Sequence, residues 1–392
     1  MNKKSYEEYC TGCGLCGSVE SVSFECDEKG FNIPDLEKTE ETFLEAVCPF
    51  GGAATRSMNG HIWGAYQEVC FGWALDEEIR RKASSGGVLT ALCCFLLKEH
   101  LVDGIIQTTC DEAVPYKTKT VISRTPDEVL HCMGSRYSIS SPLMNLQEII
   151  VSGETYAFVG KPCDASALRM YMAKNEKIYK AIKYLFSFFC AGVPSTAAQK
   201  KLLNELGCSC DNPCVSLRYR GNGWPGDTEA IRRDGTRNCL SYRDSWGEIL
   251  GRDVRKVCRF CIDGIGELAD IACGDAWYLT SDKKPDFTER DGRNIIFIRT
   301  KKGEELFKAA KAKSMIHVQD SPECIEELKY MQPYQYERRA SMKSMIDGLR
   351  ICNRDVPKYD KKILKSLQKH MDRKTRIRRC VGIIKRIKQG KI

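Results

Sequence analysis

The chain has 392 residues, of which 42% are hydrophobic and 29% are charged, as expected for a globular protein with two or three domains. Its longest nearly uninterrupted apolar run, residues 88–97, is about half of the roughly 20 residues that a membrane-spanning helix needs, which excludes an integral membrane role. The first ten residues are polar and lead directly into a cysteine cluster, so we expect no signal peptide and a cytoplasmic protein.

The chain contains 22 cysteines, a smaller share than in short disulfide scaffolds. In a reducing compartment, clustered thiols serve as metal ligands or redox groups rather than as disulfides. Iron–sulfur and zinc sites are therefore the first candidates.

The net charge of +9 is unevenly distributed. Residues 356–392 contain nine Lys and five Arg against two Asp, a net charge of +12 for this basic tail, and the rest of the chain sums to −3. Composition thus divides the chain into a cysteine-rich region over 1–60, an α/β body over 61–355 and the basic tail.

The N-terminal region carries Cys10-x2-Cys13-x2-Cys16 and, further along, Cys48, which a proline follows. This spacing wraps a loop so that three sulfurs face one centre, while the remote cysteine supplies the fourth thiolate of a 4Fe-4S cluster. A zinc knuckle is the alternative, but it typically has pairs of ligands set apart by a longer spacer, often with His. We therefore predict a 4Fe-4S ferredoxin-type domain over residues 1–60.

The body opens with a loop of small residues at the start of an apolar helix: Ser84, Ser85, Gly86 and Gly87. Free backbone N–H groups and the positive end of a helix dipole suit such a loop to a phosphate or pyrophosphate. An ordinary Ser cap explains the same residues equally well. A strand is predicted over residues 102–109.

Two strand-loop-helix units follow. The first has a strand over 155–159 and a helix over 164–173 with Asp164 as N-cap, and the second has a strand over 184–189 and a helix over 195–206 with Ser195 as N-cap. In a parallel sheet, both connecting loops lie at the carboxyl edge of the strands. We therefore expect Cys163 and Cys190, one from each loop, to lie close together.

Later segments predict a β-hairpin over 228–242 around Asp234-Gly235, a strand over 294–299 and a helix over 304–311. The motif Cys258-x2-Cys261 is a second cluster candidate, although one CxxC alone is compatible with zinc, with a redox disulfide or with chance. Cys163 and Cys190 could complete a four-thiolate set with it.

Three further cysteines, Cys208, Cys210 and Cys214, form a tight group without a fourth partner, which favours a surface turn over a metal site. The segment 221–226 matches the dinucleotide pattern GxGxxG, but a hairpin rather than a long helix follows it. We therefore reject a Rossmann interpretation.

Six pieces taken in order resemble the coenzyme F420 hydrogenase/dehydrogenase beta-subunit family. They are Ala83-Ser-Ser-Gly-Gly-Val-Leu-Thr-Ala-Leu, Gly134-Ser-Arg-Tyr137, Gly160-Lys-Pro-Cys163, Phe189-Cys-Ala-Gly192, Gly223-Trp224, and Cys258-x2-Cys261 with Glu267-Leu-Ala-Asp-Ile271 and Gly274-Asp275. The similarity spans roughly residues 65–330 and divides the body into an N-terminal-like region over 61–150 and a C-terminal-like region over 151–355.

The resemblance implies a mixed α/β core that holds FAD and a 4Fe-4S cluster, preceded here by the small ferredoxin-type domain and followed by the basic helical tail. It assigns the core cluster to Cys163, Cys190, Cys258 and Cys261, with Cys273 as a possible replacement for one of them. It also assigns the FAD contacts to Ser84, Ser85, Gly86, Gly87, Gly134, Ser135, Arg136, Tyr137, Gly160 and Lys161.

The expected function is an oxidoreductase with FAD and two 4Fe-4S clusters that moves electrons between a ferredoxin-like donor, or a coenzyme F420-like deazaflavin, and a small organic acceptor. A non-catalytic electron-transfer subunit of a larger redox complex is the alternative. A zinc protein that binds nucleic acid through its tail is disfavoured because the body is acidic. None of the five His stands in a motif, so no proton donor is assigned.

The tail shows apolar residues at helical spacing among Lys and Arg: Ile363, Leu364, Leu367 and Met371, then Val381, Ile383, Ile384 and Ile387. A basic amphipathic helix of this kind can bind the anionic cytoplasmic face of a membrane or an acidic partner. A solvated tail is the alternative.

Overall fold

A computed structural model describes residues 3–20, 22–151, 153–319, 324–390 and 392. The fold is mixed α/β, with a central eight-stranded sheet, a three-stranded sheet and two smaller two-stranded sheets. This agrees with the mixed α/β class predicted from the sequence.

The described residues form fifteen strands. They are β1 (Phe24–Cys26), β2 (Asn32–Pro34), β3 (Glu68–Ala74), β4 (Gly104–Cys110), β5 (Thr118–Ser123), β6 (Tyr156–Gly160), β7 (Ile182–Phe188), β8 (Cys214–Arg218), β9 (Thr228–Arg232), β10 (Arg237–Leu240), β11 (Ile271–Asp275), β12 (Tyr278–Leu279), β13 (Pro285–Asp286), β14 (Asn294–Ile298) and β15 (Ile316–Gln319).

The helices surround these strands, with a π-helical turn (Arg243–Ile249) and a 3-10 turn (Leu250–Arg252) between β10 and β11. They are α1 (Lys3–Glu8), α2 (Leu15–Glu20), α3 (Glu41–Val47), α4 (Ala53–Arg56), α5 (Glu77–Lys82), α6 (Val88–Lys98), α7 (Pro126–His131), α8 (Leu146–Ile149), α9 (Pro162–Met172), α10 (Glu176–Ala181), α11 (Thr196–Glu205), α12 (Lys256–Arg259), α13 (Lys301–Ala312), α14 (Cys324–Met331), α15 (Pro333–Ile351), α16 (Lys361–Gln368) and α17 (Arg373–Lys388).

The central sheet has the strand order β15-β3-β14-β11-β7-β6-β4-β5. Its four middle strands, β11, β7, β6 and β4, are parallel, while the flanking strands pair antiparallel. Because parallel strands end at the same edge, the loops after β6, β7 and β11 meet there. That edge carries the candidate site.

The two strand-loop-helix units are confirmed as neighbours, since β6 and β7 pair in parallel. Ser195 is the N-cap of α11, and its Oγ accepts a hydrogen bond from the Ala198 N–H at 3.0 Å. The predicted N-cap of the first helix, Asp164, is wrong. The helix begins earlier because Pro162, with a fixed φ and no N–H, suits the first turn. Lys161 is the N-cap, and the Asp164 carboxylate accepts its N–H at 3.0 Å.

The remaining predicted elements are present with shifted ends. The strand predicted over 102–109 is β4, and the predicted hairpin is formed by β9 and β10, which pair antiparallel. The predicted strand over 294–299 is β14. The helix that follows starts three residues before its predicted start because Thr300 caps it, accepting the Gly303 N–H.

Hydrophobic cores lie on both faces of the central sheet. Along β14, Ile295 and Phe297 belong to a core shared with α15, whereas Ile296 and Ile298 belong to a core shared with α6 and α13. This alternation follows from the two-residue repeat of a strand. All four side chains are fully buried.

The N-terminal region packs on the body rather than standing apart from it. Tyr9 and Phe50 join the core shared with α15, and Leu15 and Val47 join a core formed with α9. The Tyr9 hydroxyl also donates to the Asp355 carbonyl at 2.7 Å. The predicted region 1–60 therefore shares its apolar cores with the body.

The tail forms α16 and α17, in agreement with its amphipathic pattern. Leu364, Leu367 and Ile383 are buried in the core shared with α15. Much of the apolar stripe is therefore already covered by protein, which leaves little of it free to enter a lipid surface. In the described parts of the chain, no helix is long and apolar enough to cross a membrane.

Candidate functional site

Four cysteines that are distant in sequence line one small cavity of about 20 Å³: Cys163, Cys190, Cys258 and Cys261. Cys163 lies in the first turn of α9, Cys190 follows β7, and the other two lie in and just after α12. Burial raises the pKa of all four thiols, to about 11 for Cys190 and to about 12 for Cys261. The structure thus brings together the four cysteines that the motifs suggested.

Positive groups surround this cysteine cavity. The Arg338 guanidinium lines it and donates to the carbonyl oxygens of Cys190 at 2.8 Å and of Cys258 at 3.5 Å. Arg338 opposes the effect of burial on the thiols of Cys190, Cys258 and Cys261, because a nearby cation lowers a thiol pKa. Arg338 thus offsets part of the effect of burial on these three thiols, whose pKa values nevertheless stay above the ordinary value.

The N-terminal cysteines form a second group. Cys10, Cys13, Cys16 and Cys48 are all partly buried, and Cys16 lies within electrostatic range of the other three. Burial and these neighbours raise the pKa of Cys13 to about 11 and raise those of Cys16 and Cys48 further. This group, too, matches the set predicted from spacing.

The two cysteine groups are adjacent. Thr11, which lies between Cys10 and Cys13, and Phe50, which follows Cys48 by two residues, both line the cavity of the body cysteines. Cys10, Cys13 and Cys48 are thus one or two residues along the chain from the wall of that cavity. The N-terminal region therefore contributes directly to the wall of the cysteine cavity.

A larger cavity of about 310 Å³ opens beside the body cysteines. It lies at the carboxyl edge of β6, β7 and β11 and reaches the first turn of α6. Nine of the ten residues predicted to contact FAD line it: Ser84, Ser85, Gly87, Gly134, Ser135, Arg136, Tyr137, Gly160 and Lys161. Gly86 does not, because it packs tightly against Asn294 and the Gly72 carbonyl.

The first turn of α6 faces this cavity without a serine cap. Gly87 is the N-cap, with φ of 77°, and the Asn294 side chain accepts the Val88 N–H at 3.2 Å. Ser84 instead accepts the Ser135 N–H at 2.6 Å, which joins the two glycine-containing loops. The serines of this loop therefore do not cap α6, and Asn294 accepts one of the N–H groups of its first turn.

Lys161 lies in the wall between the two cavities and lines both. Its side chain is 8% exposed, and its Nζ lies 2.8 Å from Asp164 Oδ2 and donates to Ser140 Oγ at 2.7 Å. Burial lowers the pKa of Lys161, but the Asp164 carboxylate together with Cys163 and Cys190 raises it overall. Lys161 is therefore a buried cation whose hydrogen bonds are already committed.

Cys273 does not belong to the cysteine cavity. It is buried on β11, lines the large cavity and lies near Cys70, and burial raises its thiol pKa. In the group 208–214, Cys208 is buried, Cys210 is exposed, and the Cys208 and Cys214 side chains are hydrogen-bonded. Neither Cys273 nor the cysteines of the 208–214 group lines the cavity of the four body cysteines.

Sequence reasoning missed one wall of the large cavity, which consists of Arg220, Tyr242, Trp246, Asp275 and Trp277. Arg220 and Asp275 form a bidentate ion pair at 2.9 and 3.0 Å. Trp277 stacks on Trp224 with ring centroids 4.5 Å apart. Two residues of the family motifs, Trp224 and Asp275, could have pointed to this wall. Its other residues lie in segments whose sequence shows no helical or strand periodicity.

Two family models match this chain, and both describe the beta subunit of coenzyme F420 hydrogenase/dehydrogenase. The model of its C terminus matches residues 153–323, and the model of its N-terminal part matches residues 69–148. The coenzyme F420 hydrogenase subunit beta of Methanococcus voltae is 27% identical over 260 residues, which is 62% of this chain and 80% of that protein. The coenzyme F420-dependent sulfite reductase of Methanocaldococcus jannaschii is 24% identical over 352 residues, covering 84% of this chain and 50% of that protein.

A chain of the F420-reducing [NiFe] hydrogenase complex from Methanosarcina barkeri has a similar fold, with a TM-score of 0.58 and 22% identity. The alignment covers 74% of this chain and 96% of that one. The family models together span most of the body and include most of the residues that line the large cavity. The chain described here belongs to the coenzyme F420 hydrogenase/dehydrogenase beta-subunit family.

Proposed function

We propose that this chain is an iron–sulfur flavoprotein oxidoreductase that carries electrons between a protein donor and a small organic acceptor. Its relatives are oxidoreductases or their subunits, and the chain has a redox role. The proposal of a flavin and two clusters rests on one observation: three candidate centres adjoin one another. The large cavity and the cysteine cavity share Lys161, Cys190, Gly192 and Val193 as lining residues.

The body cysteines suit a 4Fe-4S cluster. Four thiols surround a cavity lined by Arg338 and Lys161, and cations stabilise a cluster that is negatively charged overall. Within the described residues, no three His, Cys, Asp or Glu side chains are arranged to hold a single metal ion. Cys163, Cys190, Cys258 and Cys261 would hold the 4Fe-4S cluster.

The N-terminal cysteines would hold a second 4Fe-4S cluster. Cys10, Cys13, Cys16 and Cys48 combine the ferredoxin spacing with mutual proximity. Gly12 packs so closely on Arg255 that a Cβ there would lie 2.3 Å from its guanidinium. That contact fixes the cysteine loop against α12 and hence beside the other cysteines.

The large cavity would hold FAD. Its first-turn N–H groups at α6 and the Arg136 side chain suit a pyrophosphate, and Tyr137 and Trp246 offer aromatic surfaces for a flavin ring. The Nε atom of Arg136 is buried without a hydrogen-bond partner among the described residues, a donor that an anionic ligand would satisfy. Bound FAD exchanges electrons in pairs with organic molecules and singly with iron–sulfur clusters.

The three candidate centres would then follow one another in space as steps of one electron-transfer path. The N-terminal cysteines lie beside the body cysteines, and these lie beside the large cavity. Arg220, Asp275 and Trp277 shape the cavity wall against which an organic acceptor would bind. The Methanococcus voltae and Methanocaldococcus jannaschii relatives are both named for coenzyme F420, so a deazaflavin is the first substrate to test.

The deciding experiment is anaerobic purification followed by measurement of iron, sulfide, zinc and released flavin per chain. About eight irons and one FAD support two 4Fe-4S clusters with a flavin. Reduction of oxidised deazaflavin by the isolated chain, with reduced ferredoxin as the electron donor, would then separate an enzyme from an electron-transfer subunit. Zinc in place of iron, or an absence of flavin after reconstitution, would refute the proposal.

A further inference from the structure

Helix α17 carries an unusual density of positive charge. It contains eight Lys and Arg and no acidic residue. Only Arg379 forms an ion pair among the described residues, with Glu337. Six of the others are exposed: Arg373, Lys374, Arg378, Lys385, Arg386 and Lys388. We call these six residues the basic face.

Helix stability does not explain this charge. Arg373 and Lys374 occupy the first turn, where cations oppose the helix dipole. The helix is instead held by its packing on α15, since a Cβ on Gly348 would lie 2.8 Å from the Cys380 carbonyl oxygen. The basic face therefore lies on a helix that is closely packed against the body.

Two apolar side chains lie in the middle of the basic face. Ile377 is 57% exposed and Val381 is 40% exposed, and they are one helical turn apart. Arg378 and Lys385 flank them on the same side of the helix. An exposed apolar centre within a charged rim is typical of a protein interface.

The basic face extends toward the body cysteines. Arg386 lies within electrostatic range of Arg259, the residue that follows Cys258 in the CxxC loop, and of Arg379. Burial and these two like charges lower the pKa of Arg386, and of the two only Arg379 has an acidic partner, Glu337, among the ion pairs of the described residues. An acidic surface would relieve this repulsion.

We infer that the basic face of α17, together with Ile377 and Val381, is the docking surface for a small acidic electron-carrier protein. This inference rests on the proposed function. A protein is favoured over a lipid surface because α17 exposes only two large apolar residues, while Leu364, Leu367 and Ile383 are buried in the tail. Ile383 of the same helix belongs to, and Ile387 packs against, the core that contains Val257 and Phe260, on either side of Cys258, so a carrier bound here would lie near the CxxC loop.

The test is stopped-flow reduction of the reconstituted protein by a reduced acidic 4Fe-4S ferredoxin, with dithionite as a small reductant that needs no docking. We expect Arg378→Glu/Lys385→Glu to lower the second-order rate constant with ferredoxin at least about tenfold at low salt and to weaken its salt dependence. The matched control Lys301→Glu/Lys311→Glu changes the same charge on α13, which packs on the opposite face of the sheet. It should react like wild type, and dithionite should reduce all three proteins equally.

Equal ferredoxin rates for wild type and Arg378→Glu/Lys385→Glu would overturn the docking surface, as would an equal loss in the control. Failure of dithionite to reduce the reconstituted wild type would instead overturn the proposed function itself. Flotation with phosphatidylglycerol vesicles then measures membrane binding of the wild type and the variants. A variant that loses vesicle binding but keeps its ferredoxin rate would assign the basic face to membranes and refute the protein partner.

Discussion

Lys161 and Asp164 form a buried ion pair, with 2.8 Å between Nζ and Oδ2, in the wall shared by the large cavity and the cysteine cavity. The Asp164 carboxylate also accepts the Lys161 N–H, so one side chain caps α9 and neutralises the cation. A single residue pair thus fixes the start of the helix that carries Cys163 and the wall between two candidate centres.

The first prediction concerns this pair. Lys161→Met removes one partner and leaves the other charge buried, so the free energy of unfolding should fall by about 3–5 kcal/mol. Lys161→Met/Asp164→Asn removes both charges, and we expect it to recover most of that loss. Urea denaturation of both proteins measures the difference. A double variant no more stable than the single variant would show that the pair is not the source of the loss.

The sequence could predict the N-terminal cysteine set because ligand spacing is a local property, and the proximity of Cys163 and Cys190 because consecutive parallel strands end at one edge. The family resemblance added Cys258 and Cys261. The sequence could not predict Arg220 or Tyr242, whose segments have no periodic pattern and reach the cavity through tertiary folding. The amphipathic pattern predicted that the tail is helical. It could not predict that α15, rather than a lipid surface, covers Leu364 and Leu367.

The second prediction distinguishes two buried cysteines. Cys261 lines the cysteine cavity, whereas Cys273 lines only the large cavity. Cys261→Ser should therefore lose about four of about eight irons per chain, since a cluster needs its four thiolates. Cys273→Ser should keep its iron. Iron and sulfide analysis after anaerobic reconstitution measures both, and iron loss in Cys273→Ser alone would reverse the assignment.

The third prediction concerns Arg136. Its Nε is buried without a partner among the described residues, its side chain lines the large cavity, and a hydrogen bond to a charged group contributes about 1.5–3 kcal/mol. Arg136→Gln should therefore weaken FAD binding by about 10- to 150-fold, measured by flavin fluorescence titration of the apoprotein. The matched variant Arg237→Gln changes an exposed arginine of β10 that does not line the cavity. Equal affinities in the two variants would remove Arg136 from the FAD site.

The fourth prediction is a pH dependence. Cys94 is buried in α6, and burial raises its thiol pKa from 9.0 to about 11. Between these values the unfolded chain has lost the Cys94 proton while the folded chain keeps it, so stability falls as pH rises. One such proton contributes a slope of about −1.4 kcal/mol per pH unit.

Cys94→Ala removes this proton. Its stability should therefore fall less steeply than that of wild type between about pH 9 and pH 11, by up to about 1.4 kcal/mol per pH unit, in urea denaturation under reducing conditions. Between about pH 6 and pH 8 the thiol is neutral in both states, so the two slopes should coincide there and differ only by the constant cost of the smaller side chain. Parallel curves across the whole range would mean that α6 opens to solvent at Cys94 before the protein unfolds.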